Sequence, residues 1–208
     1  MRPPRPILAL VALAAVLSAA VWAAAPQAGA AAAVAADKPA ALKAGDRAPV
    51  FQALADDGTL WKSADHVGKQ AVVVYFYPAA MTGGCTKQAC SFRDQRTQLD
   101  KLGAVVVGVS GDRVGNLQVF KAANRLNFPL LADSTGAVAK AFGVPLGEGG
   151  TITRAVDGKD VQLTRDVTPA RWTFILGKDG KIAFVETQVN AAGDGEAVVA
   201  ALRKLAGK

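Results

Sequence analysis

The sequence predicts an α/β domain built on a central mixed β-sheet with helices on its faces. Three observations carry that expectation. Residues 71–77 and 104–110 are continuous apolar runs rich in β-branched side chains, the composition of strands buried on both faces. Segments with apolar residues near helical spacing follow both runs. Later in the chain, hairpin signals replace this alternation: Asp157-Gly158 and Asp179-Gly180 each separate two β-prone runs, as Asp57-Gly58 does near the start.

Taken in order, residues 51–54 and 59–62 flank the first Asp-Gly turn, and His66 falls in a polar turn before the strand at 71–77. A helix is expected from Cys85 to about Leu102, with Phe92, Leu99 and Leu102 as its apolar stripe. After the strand at 104–110 comes a helix over 114–126, where Val114, Leu117, Phe120 and Leu126 recur near helical spacing. A short strand at 128–131 and a short helix at 136–142 follow, the latter stopped by Gly143 and Pro145. Gly147-Glu-Gly-Gly150 reads as a flexible loop, since no strand-to-helix context or following lysine makes it a phosphate loop. Two hairpins, 151–167 and 172–187, lead to a last helix over 195–205, with Asp194 as its expected cap.

The start of the chain is of a different kind. Arg2 and Arg5 precede a run, 7–25, that is apolar except for Ser18, and residues 1–36 contain no acidic residue. This reads as a secretory signal peptide over 1–30, with small-residue cleavage sites at Ala23-Ala-Ala25 or, preferably, Ala28-Gly-Ala30. An uncleaved membrane anchor is the alternative, because the run approaches the roughly 20 residues that span a bilayer. Residues 31–41 read as a flexible linker, and 42–208 as one folded domain. Either reading of the leader places the domain outside the cytoplasm, with a periplasmic location expected. The net charge of +7 comes from basic residues scattered along the chain. No aromatic-interleaved basic stripe appears, so nucleic acid is not an expected partner.

Both cysteines, Cys85 and Cys90, lie in one stretch, VVVYFYPAAMTGGCTKQACSFRD, residues 72–94. Cys85 sits where a loop containing Pro78, Thr82, Gly83 and Gly84 meets the start of a helix. Unpaired backbone N–H groups and the helix dipole favour an anion there, and the thiolate is the nucleophilic form of cysteine. Other readings stand beside a reactive thiol. In an exported protein, two cysteines suggest a static structural disulfide, although one between Cys85 and Cys90 would close a very short loop and constrain the unfolded chain little. A thioredoxin-type exchanger would carry Cys-x-x-Cys, a shorter spacing. His66 and two cysteines do not complete a zinc site, so no metal is expected.

The segment resembles the active site of the peroxiredoxins, whose pattern Pro-x-x-x-Thr-x-x-Cys appears as Pro78-Ala-Ala-Met-Thr82-Gly-Gly-Cys85. A second cysteine at Cys90 is similar to the Q-type subfamily, also called bacterioferritin comigratory protein. Gly83 departs from that pattern, which usually has proline there. Gly45-Asp-Arg-Ala-Pro49 with Phe51 resembles the family's entry segment. The resemblance covers about residues 42–206. It implies a thioredoxin-like fold of the peroxiredoxin type and reduction of hydrogen peroxide or organic hydroperoxides, with no bound cofactor.

On this resemblance Cys85 is the attacking thiol. The hydroxyl of Thr82 turns toward the sulfur, the N–H groups of Gly84 and Cys85 face the peroxide, and Pro78 shields the site from water. Arg171, just before the apolar run Trp172-Thr-Phe-Ile-Leu176, supplies the fixed positive charge, with Arg154 and Arg165 as weaker candidates. Cys90 resolves the oxidised Cys85 as a disulfide, which a thioredoxin-like dithiol reduces. A continuous helix separates residues five apart by about 7.5 Å of rise, so the helix must unwind for that bond to form. Relatives of the Q type are often monomers, and a monomer is expected here. The reading from a different class is an exported binding module on the same fold, with a structural disulfide.

Overall fold

The computed structural model describes residues 41–207. The expected leader and nearly all of the expected linker lie outside them. Nine strands and five helices follow in the order β1 (Gln52–Ala55), β2 (Leu60–Lys62), β3 (Ala71–Phe76), α1 (Gly83–Asp94), α2 (Arg96–Lys101), β4 (Ala104–Ser110), α3 (Val114–Asn124), β5 (Leu130–Ala132), α4 (Ala137–Ala141), β6 (Leu146–Val156), β7 (Lys159–Pro169), β8 (Thr173–Leu176), β9 (Ile182–Glu186) and α5 (Asp194–Ala206). Seven strands form one sheet in the order β2-β1-β5-β4-β3-β8-β9, and β6 and β7 pair separately. The β3–β4 and β4–β5 pairs are parallel and the others in the large sheet antiparallel, so the sheet is mixed as expected.

β3 is the centre of this arrangement, and every one of its residues is buried. Alternation sends Val73 and Tyr75 to one face, where they meet Phe92 of α1, Leu117 and Phe120 of α3, and Val198 and Leu202 of α5. Val72, Val74 and Phe76 go to the other face, against Phe142, Phe174 and Phe51. Each fully buried Val or Phe side chain stabilises by about 1.5–3 kcal/mol relative to exposure, so this strand anchors both cores. β3, like β5, is also where the parallel centre of the sheet meets an antiparallel flank. On one side it runs with β4. On the other it runs against β8 in the register Val72↔Leu176, Val73↔Ile175, Val74↔Phe174 and Tyr75↔Thr173. The end of β3 therefore lies beside the beginning of β8.

Four local expectations change. The helix expected from Cys85 begins earlier, at Gly83, and breaks at Gln95 (φ −88°, ψ 2°) before α2. At the break, Arg93 and Arg96 donate to the carbonyls of Asn124 and Asn127 at 2.8 and 2.7 Å, tertiary ties that local periodicity does not reveal. The glycines at 147–150 are part of β6 rather than a flexible loop. Their lack of side chains lets β7 come close: a Cβ on Gly149 would sit 2.3 Å from the Arg165 carbonyl oxygen. The same holds where this hairpin meets the main body, since a Cβ on Gly111 would lie 2.0 Å from the Val167 oxygen. Asp194 is the first residue of α5 rather than its cap, and its side chain makes no capping bond. The fourth change, at Thr82, belongs to the site.

Candidate active site

The chain leaves β3 through Tyr77 and Pro78 and makes a tight loop before α1. Ala79 and Ala80 are buried and Pro78 is half-buried. The loop is held from two sides. The Ala80 N–H donates to the buried Asp112 at 2.8 Å, and Asp112 also accepts from Ser110 at 2.9 Å, which ties the loop to the end of β4. Arg154 of β6 donates through Nε to the Met81 carbonyl at 3.0 Å. Met81 has φ of 60°, a left-handed conformation rarely adopted by a side-chain-bearing residue. The backbone then extends at Thr82 (φ −97°, ψ 150°) and enters the helix at Gly83.

Cys85 is the third residue of α1 and is 1% exposed. The N–H groups of Gly83, Gly84 and Cys85 belong to the first turn and have no acceptor within the helix, whereas Thr86 N–H reaches the Thr82 carbonyl at 2.8 Å. Gly84 and Cys85 thus present donors at the positive end of a helix, beside the sulfur. The Thr82 hydroxyl does not donate to the sulfur. It donates to the Ala79 carbonyl at 2.8 Å, because that acceptor lies three residues back in the tight loop. Its oxygen keeps lone pairs for a donor entering the site.

Arg171 is brought to Cys85 by the β3–β8 register. Its Nη2 lies 3.3 Å from the Cys85 sulfur, and Nη1 donates to Gln88 Oε1 at 2.5 Å. Gly84 makes room for this approach, since a Cβ there would be 3.2 Å from Nη2. The other two arginine candidates do not reach the sulfur: Arg154 holds the loop, and Arg165 donates to Thr168 at 2.9 Å. Sequence reasoning missed Gln88. It lies one helical turn after Cys85 and is fully buried, which is unusual for glutamine without a partner. Its spacing on α1 was the available signal. Behind it, Gln88 Nε2 donates to Asp194 Oδ2 at 2.7 Å.

Cys90 lies on the same continuous helix, partly buried, and both cysteines are free thiols. His66 is elsewhere, stacked on Trp61 with ring centroids 4.8 Å apart and bonded to Gln70. Among the described residues, no group of three or more His, Cys, Asp or Glu side chains is placed to hold a metal. The cluster that remains is one of nucleophilic sulfur, fixed guanidinium and free N–H donors.

The sequence profile of the AhpC/TSA family matches residues 44–185, which includes Cys85, Cys90 and Arg171. The chain belongs to the AhpC/TSA family. It is similar to peroxiredoxin Bcp of Escherichia coli, with 42% identity over 144 residues, 69% of this chain and 85% of that protein. Among solved structures it is similar to peroxidoxin BcpB of Mycobacterium tuberculosis. The TM-score is 0.66 and the identity 33%, covering 79% of this chain and 98% of the other. It is also similar to the bacterioferritin comigratory protein of Xanthomonas campestris, whose alkyl peroxide reduction activity has been studied. That match has a TM-score of 0.63 and 31% identity, covering 79% and 99% of the two chains. The chain is a peroxiredoxin of the Q type with a thioredoxin-like fold, a thiol-dependent peroxidase and oxidoreductase.

Proposed function

We propose that this peroxiredoxin reduces hydrogen peroxide and organic hydroperoxides at Cys85 and recycles through a Cys85–Cys90 disulfide. The observation that carries the reading is the Arg171 guanidinium 3.3 Å from the Cys85 sulfur, at the start of α1. The cation, the helix dipole and the free N–H groups of Gly84 and Cys85 all favour the thiolate. The sulfur attacks one peroxide oxygen and the O–O bond breaks. Cys85 becomes a sulfenic acid, and the other oxygen leaves as hydroxide or alkoxide and takes up a proton. Arg171 and the N–H groups of Gly84 and Cys85 stabilise the charge that moves onto the departing oxygen, as preorganised donors do elsewhere. The Thr82 oxygen accepts a hydrogen bond from the peroxide O–H and orients the substrate. Pro78 closes the site against bulk water.

The Cys90 thiol then attacks the sulfenic sulfur. A disulfide forms and water leaves. In α1 as it stands, the two Cα atoms are about 9 Å apart by helix geometry, beyond the roughly 7 Å a disulfide tolerates. The first turns of α1 open for the bond to form. A thioredoxin-like dithiol returns both cysteines to thiols. The protein works as a monomer. The N-terminal segment is a signal peptide that exports the domain to the periplasm, with no role for a bound cofactor, metal or nucleic acid.

The test is stopped-flow oxidation of the reduced domain by hydrogen peroxide, followed by Trp fluorescence, with mass spectrometry of the product. Fast oxidation ending in a Cys85–Cys90 disulfide, lost in Cys85→Ser, supports the reading. Oxidation no faster than that of an ordinary exposed thiol overturns it in favour of a binding module with a structural disulfide.

A further inference from the structure

Asp194 lies at the start of α5, yet its carboxylate bonds to side chains of α1 and β8. Its Oδ2 accepts from Gln88 Nε2 and from Thr173 Oγ1, both at 2.7 Å. All three residues are buried, Asp194 to 3% exposure. Gln88 in turn accepts from Arg171 Nη1, and the same guanidinium holds Nη2 on the Cys85 sulfur. One unbroken chain of bonds therefore runs from Asp194 to the reactive sulfur.

The chemistry of the amide gives this chain a direction. A primary amide has a donating end and an accepting end, a carboxylate only accepts, and a guanidinium only donates. With Asp194 ionised on one side and Arg171 on the other, a single orientation of Gln88 satisfies both. The reversed amide would set oxygen against carboxylate and N–H against N–H, in a dry site where such contacts are costly. We infer that Asp194 is a positioning residue for Arg171: it fixes the amide of Gln88, and so holds the guanidinium on Cys85.

The surroundings keep that carboxylate in place. Gly195 N–H donates to Ser91 Oγ at 2.9 Å, and a Cβ on Gly195 would lie 2.6 Å from the Ser91 carbonyl oxygen. The start of α5 is thus pressed onto α1 one turn beyond Gln88. Thr173, two residues after Arg171, adds a second donor to the same oxygen. Burial pushes the Asp194 carboxyl above its usual range despite these bonds, a cost that a solvated helix cap would not carry.

The inference rests on Cys85 being the peroxide-reactive thiol, and wild-type oxidation checks that separately. The experiment compares Gln88→Ala, Asp194→Ala, the double variant and Asp194→Asn in the full chain. It measures the rate of Cys85 oxidation by hydrogen peroxide, the rate of its alkylation by iodoacetamide at neutral pH, and the thermal midpoint. Asp194→Ala is expected to slow oxidation about tenfold, with a matching fall in alkylation. Gln88→Ala should do the same, and the double variant no worse than either, because the residues act in series. Asp194→Asn should recover most of the loss, since its amide oxygen still accepts both bonds. A wild-type rate in Asp194→Ala overturns the inference, as do losses that multiply in the double variant.

An isosteric pair makes the same test without a cavity, should Asp194→Ala fail to fold. Gln88→Glu sets two carboxylates face to face and should slow oxidation. Adding Asp194→Asn supplies a donor and should restore part of the rate, and no restoration would overturn the inference.

Discussion

Gly83→Pro is the substitution that most directly tests the unwinding of α1. Gly83 is the first residue of the helix, a position at which proline is well accommodated. Its N–H has no intrahelical acceptor, so proline removes no bond there. Nothing lies within 4 Å of the Cβ it would gain. The preceding residue, Thr82, already has φ −97° and ψ 150°, the extended conformation that a following proline demands. With no strain in the folded state, the substitution acts on the open chain. Restricting it should stabilise the closed helix by about 0.4–1 kcal/mol. That is about a 2–5-fold smaller population of the opened helix, since about 1.4 kcal/mol corresponds to tenfold. In two-phase stopped flow the first oxidation should be unchanged, and disulfide formation should slow by the same factor. At high peroxide, mass spectrometry should find proportionally more sulfinic acid on Cys85, because the sulfenic acid waits longer for Cys90. A disulfide phase as fast as wild type, in a variant whose thermal midpoint has risen, would refute the reasoning: opening of the first turn would not limit resolution.

Arg171→Ala should slow the first oxidation by about 10–150-fold, from the loss of a charge-assisted hydrogen bond worth about 1.5–3 kcal/mol, and the stopped-flow rate against peroxide concentration measures it. Cys90→Ser should keep the first phase and abolish turnover with a dithiol reductant, sulfenic or sulfinic Cys85 accumulating by mass. Asp194 gives a pH signature in stability. Its carboxyl is raised above the usual range by burial, so the folded chain binds this proton more tightly than the unfolded chain. The stabilisation is present in full below the ordinary carboxylate range and is lost as pH rises through the raised folded value. Urea unfolding of wild type and Asp194→Asn should therefore show the variant gaining relative to wild type as pH rises above the ordinary carboxylate range, about pH 4.

Much of this architecture was legible because its signals are local. The runs at β3 and β4 are apolar throughout, and Asp157 and Gly158 both take positive φ (49° and 76°), as a two-residue hairpin turn requires. Cys85, Gly84 and Arg171 were named from the chain alone and meet in space. What escaped the reading depends on partners distant in sequence. The glycines of β6 look like a loop until β7 lies against them. Asp194 looks like a cap because its partner Gln88 is 106 residues away. Gln88 carries no signal beyond its spacing from Cys85, since a glutamine on a helix is ordinary until it proves to be buried. The Thr82 hydroxyl is expected at the sulfur from its spacing, and the Ala79 carbonyl three residues back takes it instead.

The β3–β8 ladder also sets what this protein can tolerate as its sequence changes. Thr173 is pinned opposite Tyr75, two residues after Arg171, so the distance from guanidinium to sulfur is fixed by one pairing. The β6–β7 arm immediately precedes that point and ends in an exposed turn at Asp157-Gly158. Residues added or removed in pairs at its tip change how far the arm reaches while leaving Arg171 where it is. A one-residue slip of β8 would instead turn its side chains to the opposite faces and carry the arginine away from the thiol. The tip beyond Arg154 is therefore the place where length can vary between descendants or be engineered, and the short strand that follows the arm is where variation is forbidden.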